Sequence, residues 1–296
     1  MNRLPACLKC KPFGASLLIV LVVTPMHAFQ APQPRRAGDA KTSPGVSRAL
    51  ILVGIPGDQE HDDAFASIAK DWRDWLMKDL GFPETQVHIL FGKEGKPGLA
   101  RGPARRDAVE KEVAALKDSL KPEDRLWVFF LGHGNNDGDH AYFHFAGRDM
   151  TAEDLGKLFS DVRCMEQVFW MTASASGWFM KALSAKGRIV ITATVADDEY
   201  NETEFPYALA TVAKRPAKDL DTNKDGKVSI LELYDLVVAE VNARFAKDKR
   251  APTEHAQLDD NGDGSGTEKP SGEKPKDITK AIDGQLAATT YLPLKR

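Results

Sequence analysis

The stretch LWVFFLGHG, residues 126–134, decides most about the fold. Its first six residues are apolar without interruption, a pattern typical of a strand that is buried on both faces of a sheet. The strand ends at a histidine between two glycines, where little side-chain bulk hinders approach to the imidazole. The stretch therefore predicts a central strand with a reactive side chain, that of His133, at its carboxyl end.

Helices and further strands alternate on either side of this stretch. Apolar residues at helical spacing predict one helix between Phe65 and Leu80, a second between Ala108 and Leu120, and a third that begins at Thr151. Strands are predicted at 49–55, 87–91, 142–145, 167–171 and 188–194. Alternation of this kind is typical of a mainly parallel sheet with helices on both faces, so the predicted fold class is α/β.

A second strand end carries a small polar side chain. The sequence VFWMTASASG, residues 168–177, passes from a buried strand into a turn of small residues that contains Ser174. Ligands and chemistry collect at the carboxyl ends of parallel strands, so His133 and Ser174 are expected at the same edge of the sheet. On the residues alone, two interpretations stay open: a reactive site, or two tight turns without chemistry.

These two motifs, in this order, resemble those of the legumain and caspase-like cysteine peptidases, which share the caspase-hemoglobinase fold. In that family one strand ends in His-Gly, and a later strand ends in a nucleophile turn of the form Glu-Ala-Cys-x-Ser-Gly. The resemblance extends from Ala49 to about Phe205. It implies a three-layer fold, the activity of a clan CD cysteine endopeptidase, a general base at His133 beside Gly134, and the nucleophile position at Ser174.

The sequence departs from that family where the chemistry takes place. Ser174 occupies the position of the nucleophilic cysteine, and Cys164 lies ten positions earlier, before the strand that carries the turn. Ala175 replaces the glutamate that legumains often have there, so legumain specificity is not expected. A serine hydroxyl ionises far less readily than a thiol and needs a well-placed base. We therefore predict a degenerate, weak or inactive peptidase site that acts through binding.

An active hydrolase is the alternative. In that interpretation Ser174 attacks, His133 transfers the proton, and the amides of Gly134 and Ser174 stabilise the oxyanion. Asp62 or Asp137 would then orient the imidazole as the third group of the site. The geometry around Ser174 and His133 distinguishes the two interpretations.

Residues 221–232, DTNKDGKVSILE, match the twelve-residue EF-hand loop at every ligand position. The expected calcium ligands are Asp221, Asn223, Asp225, the backbone carbonyl of Lys227, and Glu232. Gly226 allows the sharp turn, and Ser229 contributes directly or through water. Because apolar residues at helical spacing follow the loop, the sequence predicts a helical EF-hand-like segment with Ca²⁺ as cofactor. A dockerin-like loop is a variant of this interpretation.

Two weaker metal motifs use the same residue types. Residues 259–265 repeat the acidic first half of the calcium loop, but Pro270 stands where the closing glutamate should be. A second ion and a solvated acidic turn are therefore equally open. A zinc site formed by His133, His140 and His144 is not predicted, because their spacing fits no helical ligand pair.

The N-terminal residues are typical of a secretory signal peptide. Three basic residues precede an apolar run at 13–23, and Ala28 ends a segment suited to cleavage. We predict a signal peptide at 1–28, a linker at 29–47, a caspase/legumain-like domain at 48–215, an EF-hand-like segment at 216–265, and a flexible segment and C-terminal tail at 266–296. The expected location is secreted or periplasmic. A retained anchor is the alternative, disfavoured because the apolar run is short for a membrane span.

The composition limits the partners. The chain has 296 residues, of which 42% are hydrophobic, and a formal net charge of −3, so nothing favours nucleic acid as a partner. Three cysteines are too few for a disulfide scaffold, and signal cleavage would leave only Cys164. No membrane span is predicted after that cleavage. A peptide or protein ligand is the partner class that remains, and no oligomeric state is predicted.

Overall fold

A computed structural model describes residues 45–270 and 282–295. The strands are β1 Ser47–Val53, β2 Val87–Phe91, β3 Arg125–Leu131, β4 Gly134–Asn136, β5 Ala141–Phe143, β6 Met150–Thr151, β7 Glu166–Met171, β8 Arg188–Thr192 and β9 Gln257–Asp259. The α-helices are α1 Gln59–Lys78, α2 Arg106–Ser119, α3 Ala152–Phe159, α4 Met180–Leu183, α5 Phe205–Ala213, α6 Ala217–Leu220, α7 Ile230–Lys247 and α8 Gln285–Thr289. The predicted signal peptide and most of the predicted linker lie outside the described residues.

The main sheet has six strands in the order β2-β1-β3-β7-β8-β9. The first five strands are parallel, and β9 runs antiparallel to β8 at the edge. The pairing places Ile51 of β1 between Ile89 of β2 and Phe129 of β3. The predicted mainly parallel α/β sheet is confirmed. The antiparallel edge strand β9 had no counterpart in the sequence prediction.

Helices cover both faces of this sheet, which explains the uninterrupted apolar run in β3. Trp127, Phe129 and Leu131 contribute to one core cluster, together with residues of α1, α5 and α7. The alternate residues of the same strand contribute to a second cluster, with α2, α3 and α4. Because successive side chains of a strand point to opposite faces, a strand between two helical layers needs apolar residues throughout. Within the described residues, no helix is long and apolar enough to cross a membrane.

A small antiparallel sheet, β4-β5-β6, follows directly after β3. The His144 amide donates to the His133 carbonyl at 3.1 Å, and the Ile55 amide donates to the His144 carbonyl at 2.9 Å. These two bonds attach the small sheet to the carboxyl ends of β1 and β3. The histidine predicted as the general base is therefore fixed through its backbone on the neighbouring chain segments.

The C-terminal residues pair with the predicted calcium loop. The Leu292 amide donates to the Val228 carbonyl, and the Ile230 amide donates to the Thr290 carbonyl, both at 2.8 Å. Tyr291 forms the matching antiparallel bridge with Ser229. Residues 282–295 of the predicted C-terminal tail are therefore attached to the rest of the fold, because their backbone completes a short β-pairing with the loop.

Candidate peptidase-like site and calcium-type loop

His133 lies just beyond the carboxyl end of β3, after a glycine that the backbone requires. Gly132 has φ of +150°, and a Cβ at this position would lie 3.2 Å from the Gly54 backbone nitrogen. The Gly54 amide itself donates to the Leu131 carbonyl at 2.8 Å. The glycine therefore lets β1 and β3 approach each other closely, and the histidine ring leaves the sheet at a fixed point.

The His133 ring has the orientation of a usable base. Its Nε2 lies 3.1 Å from the Pro56 carbonyl oxygen, which can only accept, so Nε2 carries a proton. In the neutral ring the other nitrogen, Nδ1, is then the one free to accept a proton. The group behind the imidazole is thus a backbone carbonyl, and the expectation that Asp62 or Asp137 fills this role is wrong. Asp62 pairs with Lys96, and Asp137 accepts hydrogen bonds from its own loop.

Ser174 is almost fully buried, with 4% of its surface exposed. Its Oγ donates to the Gly134 carbonyl at 2.9 Å and accepts from the Gly134 amide at 3.2 Å. The structure places Ser174 at the end of β7, beside the end of β3, as predicted. Among the hydrogen bonds of the described residues, however, none joins its hydroxyl to the His133 imidazole. The hydroxyl proton is directed at a carbonyl, which cannot take it up.

The rest of the turn is fixed against the chain that follows β8. Ala175 has φ of +52°, rare for a residue with a side chain, and its amide donates to the Glu199 carbonyl at 2.9 Å. The Ser176 hydroxyl accepts from the amides of Ala193 and Thr194 at 2.9 and 3.0 Å. Ser176 is therefore a structural residue of the turn, a role that the motif alone does not reveal.

The geometry thus has two neighbouring parallel strands that end in His-Gly and in a Ser-Gly turn. Residues 106–247 match the Peptidase C13 family. The match includes both strand ends, extends through the loop at 221–232, and covers a little under half of the chain. It supports a legumain-like peptidase fold, and we call this part of the chain the legumain-like region.

The crystal structure of protein GSU0716 from Geobacter sulfurreducens is similar to this chain with a TM-score of 0.41 and 13% sequence identity, over 72% of this chain and 92% of that one. No curated protein matches the chain.

A cluster beside His133 in the legumain-like fold was missed by sequence reasoning. The His61 ring lies edge-on to the His133 ring at 5.2 Å between centroids, and Phe65 packs at 5.4 Å. His61 Nδ1 lies 2.7 Å from Asp58 Oδ1, and its Nε2 lies 3.1 Å from Glu202 Oε2. The hydrogen bonds with Asp58 and then Glu202 raise the pKa of His61. No local signal pairs residues so far apart in the sequence.

A second missed residue, Glu254, lies beneath the loop that contains Glu202. Its Oε2 accepts from the Glu204 amide at 2.7 Å, and its Oε1 has no hydrogen-bond partner among the described residues. Burial, together with the nearby carboxylates of Glu204 and Glu199, raises the pKa of Glu254 to about 8. The side chain is therefore largely a neutral acid at pH 7.

The three histidines considered for zinc have separate partners. His133 faces Pro56, His144 Nε2 lies 3.2 Å from Asn135 Oδ1, and His140 lies 3.5 Å from Glu153. Across residues 45–270 and 282–295, no group of three or more His, Cys, Asp or Glu side chains is gathered so as to hold a metal ion.

The predicted calcium loop has a turn built on Asp221. The Asp221 carboxylate accepts from the amides of Asp225 at 3.1 Å and Gly226 at 2.9 Å, and Asn223 Oδ1 accepts from the Asp225 amide at 2.8 Å. Gly226 has φ of +85° with open space around it. The backbone therefore curls around the Asp221 carboxylate. The side-chain oxygens of Asp221, Asn223 and Asp225 all accept hydrogen bonds from backbone amides of the loop itself.

Glu232 closes this loop. Its Oε1 accepts from the amides of Thr222 and Asn223 at 2.9 and 3.1 Å, and its Oε2 accepts from the Ser229 amide at 2.9 Å. Burial acts to raise the pKa of Glu232, but these hydrogen bonds outweigh it and the pKa is lowered. The carboxylate is thus ionised at neutral pH and joins the two ends of the loop. The donor types in this loop, all of them oxygen, are those that a hard cation such as Ca²⁺ prefers, but the carboxylates are turned to loop amides and do not form a metal-holding group in this structure.

The partial copy at 259–265 has the same turn. The Gly264 amide donates to Asp259 Oδ2 at 2.9 Å, and the Asp263 amide donates to Asn261 Oδ1 at 2.8 Å. In place of a local glutamate, Asp283 from the C-terminal segment accepts from the Thr267 hydroxyl at 2.6 Å and the Asp260 amide at 3.3 Å. Asp259 and Asp260 are buried, whereas Asp263 and Ser265 are exposed, so both expectations for this turn stay open.

Proposed function

We propose that this chain is an exported protein of legumain-like fold whose peptidase site is degenerate and acts by binding a peptide rather than by cleaving it. The observation that carries the proposal is the bonding of Ser174, whose hydroxyl both donates to and accepts from the Gly134 backbone. Serine becomes a nucleophile only when a base removes its proton. A hydroxyl that donates to a carbonyl and does not contact His133 has no such base.

What is retained at the site is suited to holding an extended ligand. His133 Nδ1 takes part in no hydrogen bond among the described residues, and the small sheet β4-β5-β6 is attached at the same edge. The active-hydrolase alternative requires the Ser174 hydroxyl to turn from Gly134 to His133. That rotation would give up two hydrogen bonds in a buried site, which costs about 1–3 kcal/mol.

A peptide-library cleavage assay, with and without calcium, tests the proposal. We expect no cleavage by the wild type above that of Ser174→Ala. Efficient wild-type cleavage that Ser174→Ala abolishes would overturn the degenerate site and establish the hydrolase. Peptide binding by Ser174→Ala at wild-type affinity would support a binding function, and the absence of any bound peptide would count against it.

Restoring the thiol tests the placement of the nucleophile position. Ser174→Cys should react with a cysteine-directed electrophile at least about tenfold faster than Cys164, and His133→Ala in that background should lose most of the gain. Cys164 is the internal control, because burial raises its pKa to about 11. Alkylation of Cys164 should leave any activity unchanged. If the introduced thiol were no more reactive than Cys164, Ser174 would not lie at a nucleophile position.

We further propose that the loop at 221–232 binds calcium through Asp221, Asn223, Asp225, Lys227 and Glu232. The supporting observations are that the loop closes on itself through Glu232 and that hydrogen bonds lower the pKa of the Glu232 carboxyl. Binding requires these carboxylates to exchange part of their bonds to loop amides for the ion. An ion that binds only the folded state stabilises it, so the melting temperature should rise in calcium and fall in chelator. An unchanged melting temperature would contradict the proposal.

Export is the remaining part of the proposal, and it rests on the signal-peptide pattern at 1–28. The test is fractionation of the source cells with N-terminal sequencing of the recovered protein. We expect the protein outside the cytoplasm with residues 1–28 removed. Recovery from the cytosol with Met1 in place would contradict it.

A further inference from the structure

One imidazole, that of His61 in the first turn of α1, joins the start of this helix to the loop after β8 at the carboxyl edge of the sheet. His61 contacts Asp58, which precedes α1, and Glu202, which follows β8. In the sheet, β1 and β8 are separated by β3 and β7. These two intervening strands end at His133 and Ser174. The contact therefore spans the candidate site from one side to the other.

The same imidazole lies against the candidate base. The His61 and His133 rings meet edge-on at 5.2 Å between centroids. Glu202 is itself oriented by the Tyr207 hydroxyl, which donates to Glu202 Oε1 at 2.9 Å. Asp58 is the N-cap of α1 and also accepts from the His61 amide at 2.9 Å. Each carboxylate thus has one further hydrogen bond besides its contact with the ring, and the ring between them is the group that can change its bonding.

We propose that His61 is a proton-operated latch across this site: the imidazolium joins the start of α1 to Glu202 and restricts approach to His133, and the neutral imidazole, with its one N–H donated to Asp58, releases Glu202 and the loop after β8. The latch consists of Asp58, His61 and Glu202. The latch would regulate access to the site formed by His133 and Ser174. It rests on the proposed function only in taking a peptide as the ligand that it would admit.

The chemistry of the imidazole makes the latch depend on a proton. Both carboxylates can only accept, and the imidazolium has two N–H donors, one for each. The neutral ring has one N–H donor. When that N–H donates to Asp58, the unprotonated Nε2 faces the Glu202 oxygen with a lone pair, and the contact with Glu202 is lost. Because the pKa of His61 is raised, the closed state persists somewhat above the ordinary histidine range and is lost as the pH rises through the raised value.

The groups that face His61 come from three elements. Asp58 has a lowered pKa, through hydrogen bonds from His61, and stays ionised. Glu202 faces it from the loop after β8, and His133 faces it from the loop after β3. Glu254 lies beneath the Glu202 loop and would repel Glu199 and Glu204 when it ionises near pH 8. This second titration also loosens the loop, so the experiment has to separate it from the latch.

Hydrogen–deuterium exchange of the amides at 199–204 tests the latch, after correction for the intrinsic pH dependence of exchange. Between about pH 5 and about pH 8, wild-type protection should fall several-fold. Glu254→Gln should retain this step, and His61→Gln introduced into the Glu254→Gln protein should abolish it. His140→Gln, which changes a histidine on the exposed hairpin, is the matched control and should behave like the wild type. A step that persists in the double variant, or that disappears in Glu254→Gln alone, would overturn the proposal.

A second measurement remains informative if His61→Gln does not fold. In Glu202→Gln, the His61 pKa followed by NMR should fall, and the exchange step should shift to lower pH with it. An unchanged His61 pKa would show that Glu202 does not contact the ring and would overturn the latch. Peptide binding by Glu202→Gln separates the two proposals, because a working latch without any bound peptide contradicts only the proposed function.

Discussion

The carboxyl edge of the sheet, with His133 and Ser174, and the loop at 221–232 differ in how completely each matches the sequence pattern of its motif. The loop keeps every ligand position from Asp221 to Glu232. The carboxyl edge has the two strand ends and the turn, with His133 bonded to the Pro56 carbonyl, and the Ser174 hydroxyl at the expected nucleophile position is bonded to the Gly134 backbone. The difference teaches that this edge is held by backbone hydrogen bonds and close packing, contacts that require no reactive group.

If close packing holds the turn that follows β7, Gly177→Ala in this turn should have the largest effect on stability. A Cβ at Gly177 would lie 2.2 Å from the Val195 carbonyl carbon, so the variant should lose about 3 kcal/mol of unfolding free energy by denaturant titration. Gly138→Ala is the control, because Gly138 has positive φ but open space around it. We expect the control to lose only about 1–2 kcal/mol. Equal losses would show that the contact with Val195 is not tight.

The calcium loop should respond to the ion rather than to packing. At a calcium concentration of 100 times its dissociation constant, the wild type should gain about 2.7 kcal/mol over the chelated protein. Glu232→Gln should lose most of this gain, because an amide is a weaker ligand than a bidentate carboxylate. Glu240→Gln, on the same helix but paired with Arg215, should keep it. An identical calcium response in all three proteins would exclude Glu232 as a ligand.

Ser174→Ala tests how much the hydrogen bonds between Ser174 and the Gly134 backbone stabilise the carboxyl edge of the sheet. Removal of the hydroxyl leaves the buried Gly134 amide and carbonyl without their Ser174 partner, which should lower the unfolding free energy by about 1–2 kcal/mol. Thermal or denaturant unfolding measures the loss. A Ser174→Ala variant as stable as the wild type would mean that the hydroxyl does not bridge the two strand ends.

Glu254→Gln should have a smaller effect, visible only in the pH dependence of stability. A carboxyl whose folded pKa is raised from 4.5 to about 8 stabilises the fold fully at pH below 4.5, and this contribution is lost as the pH rises toward and through 8. The neutral amide does not titrate, so the variant should gain at least about 1 kcal/mol relative to the wild type between pH 6 and pH 9. An exposed substitution, Glu84→Gln, should leave the wild-type pH profile in place.

The sequence predicted the elements that depend on local pattern. The apolar run before His133 placed the central strand, and the Thr151 capping signal placed the start of α3, which the structure confirms. The contacts within the candidate site were harder to predict, because they join residues that are far apart in the sequence. The group behind His133 is the carbonyl of Pro56, and a backbone carbonyl has no side-chain signature. The contact between His61 and Glu202 has none either.

The second acidic loop shows the same limit. Pro270 at the expected closing position argued against a complete loop, and the closing carboxylate is instead Asp283, from a segment that folds back. A pattern with fixed spacing finds a loop that closes on itself, as at Glu232. It misses a loop that is completed by a distant residue.

The pairing of Thr290 and Leu292 with the calcium loop has a consequence for the order of synthesis. The loop at 221–232 and its helix leave the ribosome well before residues 290–292 do, yet two backbone groups of the loop, the Val228 carbonyl and the Ile230 amide, find their partners in those later residues. Until residues 290–292 have been synthesised, the loop has an open β-edge and fewer bonds to restrain it. The loop is therefore less restrained in the nascent chain than in the folded protein.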